Sequence, residues 1–152
     1  MSTQKPKVLA ISSGGGHWIQ LLRLKPAFAG CRVTYATVRK GYENDFDGAE
    51  FALIHDGNRW SKINLLRSAA AVFWLVLRIR PDVVVTTGAA PGYFGCVFGR
   101  CFGARVVWID SIANAEKLSA SGLNARPFAH LWLTQWPHLE SDSGPRYIGS
   151  VI

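Results

Sequence analysis

The run Ser12-Ser13-Gly14-Gly15-Gly16-His17 links an apolar β-type stretch to a helix-like one, and its residue types suit an anionic ligand. Glycines reach positive φ and let a ligand approach the backbone closely. The first turn of a following helix presents unpaired N–H groups and the positive end of its dipole, both favourable to phosphate. His17 adds a side chain that titrates near neutrality, so it is a candidate general base or phosphate contact. A plain strand-to-helix turn with a surface histidine would use the same residues, because short glycine motifs are common. The two readings separate on whether other chemistry-bearing residues gather at the same turn.

The elements that would gather them alternate along the whole chain. Apolar, β-branched runs occur at 7–12, 32–38, 51–55, 82–87, 105–110 and 131–135, and helical patterns at 17–28, 63–80, 92–102 and, more weakly, 118–129. Connection 39–50, polar with Gly41 and Gly48, has no clear helix. Continuous apolar strands with helical crossovers predict a parallel sheet covered on both faces. The expected fold class is therefore α/β, a Rossmann-like doubly wound sheet of order 3-2-1-4-5-6 with its crevice between strands one and four. That topology brings Ser13, Gly14, Gly15, Gly16 and His17 beside Thr87 and Gly88, which follow strand four, and Asp110, Ser111, Asn114 and Glu116, which follow strand five. Asp110 and Glu116 rival His17 as the base. Asp110 could equally cap the turn after its strand, and Glu116 could be a solvated residue. His55, His130 and His138 share no spacing and are read as structural or surface residues; no cluster has metal-ligand spacing.

At 152 residues the chain is long enough for one domain with a two-sided core, here residues 1–152. Apolar content of 49% and charged content of 18% exclude a disordered chain. Seventeen basic against ten acidic residues give a net charge of +7, which calls for an anionic partner: nucleic acid, a phosphorylated substrate or acidic lipid. The basic residues are dispersed and no groove-reading motif is present, so nucleic acid is rejected. Cys31, Cys96 and Cys101 form no CxxC pair and point to a reduced, cytoplasmic compartment. A polar start that leads straight into a strand does not read as a signal peptide.

Residues 62–80 carry more apolar surface than a sheet-covering helix needs. Leu65, Leu66, Ala69, Val72, Phe73 and Val76 share one helical face, expected on the sheet. The opposite side holds Trp74, Leu75 and Leu77 among Arg67 and Arg78, with Arg59 and Lys62 ahead of the helix and Arg80 at its end. Tryptophan and aliphatic residues framed by arginines suit a lipid headgroup boundary, where arginines snorkel to phosphates. Burial by a partner subunit or in an ordinary core are the competing readings. The stretch 68–77 would cover about 15 Å at 1.5 Å per residue, half of a roughly 30 Å hydrocarbon core, so the helix is expected to lie on a membrane rather than cross it.

Five motifs in order then resemble a known family: the Ser12–His17 run, Thr86-Thr87-Gly88, the stretch from Trp108-Ile109-Asp110-Ser111 to Leu118-Ser119-Ala120-Ser121-Gly122, Gln135-Trp136-Pro137 and Tyr147-Ile148-Gly149. Together they are similar to the membrane-associated, acceptor-side subunit of bipartite GT-B glycosyltransferases: the oligosaccharide biosynthesis protein of the dolichol-linked UDP-N-acetylglucosamine transferase and its bacterial exopolysaccharide relatives, often glucuronosyltransferases. The resemblance implies the N-terminal half of a GT-B enzyme, inactive without a small partner chain that binds most of the UDP-sugar. It implies a hetero-oligomer on the cytoplasmic face of the plasma membrane and a polyprenyl-diphosphate-linked acceptor. It further implies that Gly14–Gly16 lie under a diphosphate, that His17 is the base or a phosphate contact, and that neither metal nor cofactor is required. Trp136, Pro137 and Ile152 are the residues expected to meet the partner. Asp110-Ser111 stands where the eukaryotic subunits have Glu-Ser, and Ser119-Ala120-Ser121-Gly122 where they have Ser-Leu-Thr-Gly, so the donor sugar stays open. Those subunits also begin with a spanning helix, a role that residues 62–80 are expected to take over. A self-contained nucleotide-binding enzyme and a non-catalytic membrane scaffold are the alternatives; the first lacks both GxGxxG spacing and a P-loop lysine.

Overall fold

The computed structural model describes residues 4–45, 48–57 and 60–151. Arg59 and Ile152, assigned above to lipid attachment and partner docking, lie outside the described residues. The elements run β1 (Lys7–Ile11), α1 (Gly16–Arg23), β2 (Arg32–Thr37), β3 (Glu50–Leu53), α2 (Lys62–Ile79), β4 (Val83–Thr86), α3 (Ala89–Cys101), β5 (Arg105–Ile109), α4 (Ala120–Ala125), β6 (Leu131–Thr134) and β7 (Arg146–Tyr147). All strands pair in parallel in the order β3-β2-β1-β4-β5-β6-β7. The expected order of six strands is borne out, and β7 extends it past β6. Two residues after Pro145 are too few to show a strand period, which is why β7 was not expected.

Apolar residues alternate between the two faces of the sheet, as pleating requires. Leu9, Ile11, Val84, Val106 and Trp108 face α2, α3 and α4 and form one buried core with Val72, Val76 and Cys96. Val8, Ala10, Val85, Ile109 and Leu133 face the other way and pack with Trp18 and Leu21 of α1. Helix α1 ends at Arg23 rather than continuing to residue 28, because Pro26 cannot continue its hydrogen bonds; a 3-10 turn over Lys25–Phe28 takes its place.

Helix α3 starts at Ala89, three residues earlier than the sequence pattern suggests. Pro91 sits in its first turn, where no backbone donor is needed. A stripe of glycines lets this helix lie close on the sheet: a Cβ at Gly92 would stand 2.1 Å from Thr86 Oγ1, and one at Gly99 2.6 Å from Val84 Cγ2. Helix α4 is half the expected span, opening on a Ser119 cap, whose Oγ accepts from Gly122 N at 2.9 Å, and ending just before Pro127.

Helix α2 forms where expected but turns a different face to the sheet. Leu75 is 9% exposed and belongs to the core, whereas Leu66 is 72% exposed. The two leucines therefore exchange the roles the sequence reading gave them, and Leu77 is half-buried. A helix this apolar on every side has no strong period, so packing against Phe98 and Phe102 of α3, on which Phe73 rests, decides its rotation. The outer stripe is Ile63, Leu66, Arg67, Ala70, Trp74 and Arg78, spaced three and four residues apart. Among the described residues no helix is long and apolar enough to cross a membrane.

Candidate active site

The C-terminal ends of β1, β4 and β5 open into a cavity of about 340 Å³ whose walls carry His17, Ala89, Ser111, Asn114, Ser119 and Ser121. It occupies the crevice where the strand order reverses, between β1 and β4. A larger groove of about 620 Å³ lies at the opposite edge of the sheet, among Lys5, Lys7, Lys25 and Arg32. There Arg32 is paired with Glu50, and Lys7 Nζ reaches the Ile79 carbonyl.

His17 is locked onto the β4 turn from two sides. Its Nδ1 lies 2.9 Å from the Thr87 carbonyl oxygen, and Thr87 Oγ1 donates to the His17 carbonyl at 2.6 Å. A carbonyl can only accept, so Nδ1 carries the proton and the neutral ring keeps its lone pair on Nε2. Thr87 thus serves to orient the imidazole. Gly88 makes room for it: its φ is 127°, and a Cβ there would come within 3.0 Å of His17 Cε1. The Gly88 amide donates to Thr86 Oγ1 at 3.1 Å. The next residue, Ala89, has φ of 65°, a left-handed conformation that costs an L-residue about 1–2 kcal/mol. The chain accepts that strain at the cavity wall.

Gly15 caps α1 with φ of 70°, and no side chain caps the helix, which leaves its first-turn amides without a side-chain acceptor. Gly14 lies under Arg39, whose Cδ would be 2.5 Å from a Cβ at that position. Tyr42 stacks on buried Trp18 at 5.1 Å, and its hydroxyl accepts from Gly15 N at 3.4 Å. Ser13 is half-buried and its hydroxyl donates to the Gly14 carbonyl at 3.4 Å. The glycine loop is thus roofed by Arg39 and Tyr42, two residues that the sequence analysis did not single out. Their position directly after β2, the strand beside β1, was the available signal.

Asp110 is 2% exposed and organises the loop after β5. Its Oδ1 accepts from Ser111 N, Asn114 Nδ2 and Ser119 Oγ at 3.1, 3.2 and 2.6 Å, and Oδ2 accepts from Ser119 N at 2.8 Å. A carboxylate so fully engaged holds the cavity wall in place, the turn-capping role weighed above. Asp110→Ala is expected to cost about 3 kcal/mol of stability, since several donors lose their acceptor at about 1–3 kcal/mol each. Urea unfolding measures it, and a loss below about 1 kcal/mol would contradict this role. Glu116 is exposed and does not line the cavity. Trp136 is half-buried and donates from Nε1 to the Ile112 carbonyl at 2.8 Å, bracing the same loop from outside, while Pro137 is exposed. Beneath the cavity, buried Trp108 finds no acceptor for its Nε1–H among the described residues, and a Cβ at Gly122 would stand 2.9 Å from that nitrogen.

The fold and these motifs can be set beside known proteins. The family model of the oligosaccharide biosynthesis protein Alg14 like matches residues 53–151. The chain belongs to this family. An Alg14 relative from Eremothecium gossypii, a UDP-N-acetylglucosamine transferase subunit, is 30% identical over 178 residues, 95% of this chain and 80% of the relative. Its Schizosaccharomyces pombe counterpart is 35% identical over 98 residues, 60% of this chain and 45% of that one. Among solved structures, MurG of Acinetobacter baumannii superposes with a TM-score of 0.76 at 15% identity, over 95% of this chain and 45% of MurG. The chain therefore spans most of the first relative but less than half of the second and of MurG. These findings bear out the sequence reading in fold, a Rossmann-like α/β sheet, and in family: the relatives it matches are UDP-N-acetylglucosamine transferase subunits, the glycosyltransferase class expected above.

Proposed function

We propose that this chain supplies the acceptor-binding, membrane-attached half of a two-chain inverting glycosyltransferase. A small partner chain would hold most of the UDP-sugar, and the acceptor would be a saccharide on a polyprenyl diphosphate, as in exopolysaccharide assembly. The observation that carries this reading is the imidazole of His17, held at the mouth of the β1/β4 crevice with its basic nitrogen free. An acceptor hydroxyl gives its proton to His17 Nε2 as its oxygen attacks C1 of the donor sugar. The bond from C1 to the diphosphate oxygen breaks, and its electron pair leaves with UDP. The first-turn amides of α1, beginning at Gly16, and the cationic side chain of Arg39, whose stem lies over Gly14, supply positive potential for a diphosphate. Ser111 and Asn114 stand on the opposite wall, suited to sugar hydroxyls.

Attachment falls to the outer face of α2 on the cytoplasmic side of the membrane. Trp60, Ile63, Leu66 and Trp74 are 97%, 66%, 72% and 66% exposed, with Arg67 and Arg78 among them. Gly57 on the cavity wall packs against Leu65 and Ser68 of the same helix, so the membrane-facing element borders the site.

Co-expression with a candidate UDP-sugar-binding partner tests the proposal, with UDP-N-acetylglucosamine and UDP-glucuronate as first donors. The co-purified pair should transfer sugar to a polyprenyl-diphosphate-linked acceptor, whereas this chain alone should not. Transfer by the partner alone at the rate of the pair would overturn it.

A further inference from the structure

Two buried glutamines join segments that lie far apart in the sequence. Gln20 of α1 is 6% exposed and Gln135, just after β6, is 2% exposed. Gln135 Nε2 donates to Gln20 Oε1 at 2.7 Å and to the Asp110 carbonyl at 2.9 Å, while its Oε1 accepts from Val151 N at 2.8 Å. Gln20 Oε1 also accepts from Ile112 N at 3.3 Å, and its Nε2 donates to Ser111 Oγ at 3.3 Å. Ser150 Oγ adds a bond to the Gln135 carbonyl at 2.7 Å.

The amide pair therefore ties four segments together: the helix that begins at the glycine loop, the loop 110–119, the end of β6 and the segment after β7. His17 stands on the first of these, three residues before Gln20, and Ser111 and Asn114 on the second. Those are the two walls of the cavity. Their neighbours Trp18, Leu21, Ile109 and Leu133 form an apolar core, where leucine or methionine would fill space equally well. Buried amides in such a place must be fully paired, and a paired network fixes one geometry where apolar packing tolerates several.

We infer that Gln20 and Gln135 are positioning residues that set the distance between His17 and the Ser111 wall and hold both in register with residues 148–151. This rests on the transferase reading above. Neither glutamine lines the cavity; they act through Ser111 and the 110–112 backbone. The donor and acceptor pattern makes the two unequal. Gln20 uses its oxygen twice as acceptor, and Ser111 Oγ–H can turn to donate, so a glutamate at 20 preserves much of the pattern. Gln135 uses its nitrogen twice as donor, and an ionised glutamate there would face two oxygens.

The test compares Gln20→Met, Gln20→Glu, Gln135→Met and Gln135→Glu in the active two-chain complex. Gln135→Met and Gln20→Met should lower kcat by about 10²-fold, the order expected of a displacement near 1 Å, with the donor KM unchanged. Gln20→Glu should recover at least about tenfold over Gln20→Met, and Gln135→Glu should recover nothing over Gln135→Met, which the donor pattern alone requires. Amide hydrogen exchange on the same proteins should quicken in peptides 110–119 and 148–151 and stay unchanged in β1 and β4. Wild-type kcat in the methionine variants would overturn the inference, as would equal recovery by both glutamates or a loss of kcat that follows a fall in melting temperature. Should wild-type complex transfer nothing to any acceptor tried, the transferase reading fails, and exchange still decides the clamp: unchanged protection at 110–119 in both methionine variants overturns it.

Discussion

Replacing His17 with alanine is expected to lower turnover of the two-chain complex by about 10²–10⁴-fold, the usual contribution of a positioned general base. Donor KM should change little, because in the proposed mechanism the imidazole meets the acceptor hydroxyl rather than the nucleotide. The lock described above supports the size of the effect: one tautomer, one orientation and a free Nε2, held by the Thr87 carbonyl at 2.9 Å. Gly88→Ala provides the companion variant. It combines a φ of 127° with a Cβ 3.0 Å from His17 Cε1, so the ring must shift while the imidazole itself is retained. A loss smaller than that of His17→Ala, with folding intact, is the expected result. Wild-type turnover by the His17→Ala complex would remove this residue from the chemistry.

The second large effect concerns the membrane. Exchanging Ile63, Leu66 and Trp74 for serine and Arg67 for glutamate should release the protein from vesicles containing phosphatidylglycerol. Partly inserted apolar side chains contribute roughly 1 kcal/mol each and an interfacial arginine about 1 kcal/mol, so partitioning should weaken by about 10³-fold. Flotation measures it directly, and undiminished flotation would reject the outer face of α2 as the attachment surface. Leu75→Ser is the informative control. Leu75 is buried against the sheet, so that change should lower stability rather than release a folded protein.

The contrast between Leu66 and Leu75 also shows where sequence reading stops. The parallel order of β1 to β6 was legible because β-branched runs and crossovers admit few topologies. That order alone brought His17, Thr87, Gly88, Ser111 and Asn114 to one edge. The rotation of α2 was not legible, since it depends on Phe98 and Phe102 contributed by another helix. Nor could spacing separate a base from a brace: Asp110 and His17 both lie beyond the C-terminal ends of strands that border the crevice, and only the four donors around the carboxylate tell them apart. Gln20, Gln135, Arg39 and Tyr42 act across contacts between elements distant in the chain. Their residue types alone carry no such signal.

The wholly parallel sheet has a consequence for how the chain is made. Strand β1 must find the central strand β4, and Lys7 N meets Asp82 across 75 residues of sequence. No hairpin can nucleate such pairing, so loop closure over long separations sets the folding rate and leaves strand edges open meanwhile. On the ribosome, β1, β2 and β3 emerge before β4, so the edge of β1 that pairs with it stays open until residues 83–86 have been made. A chaperone able to shield that edge should raise the yield of soluble chain.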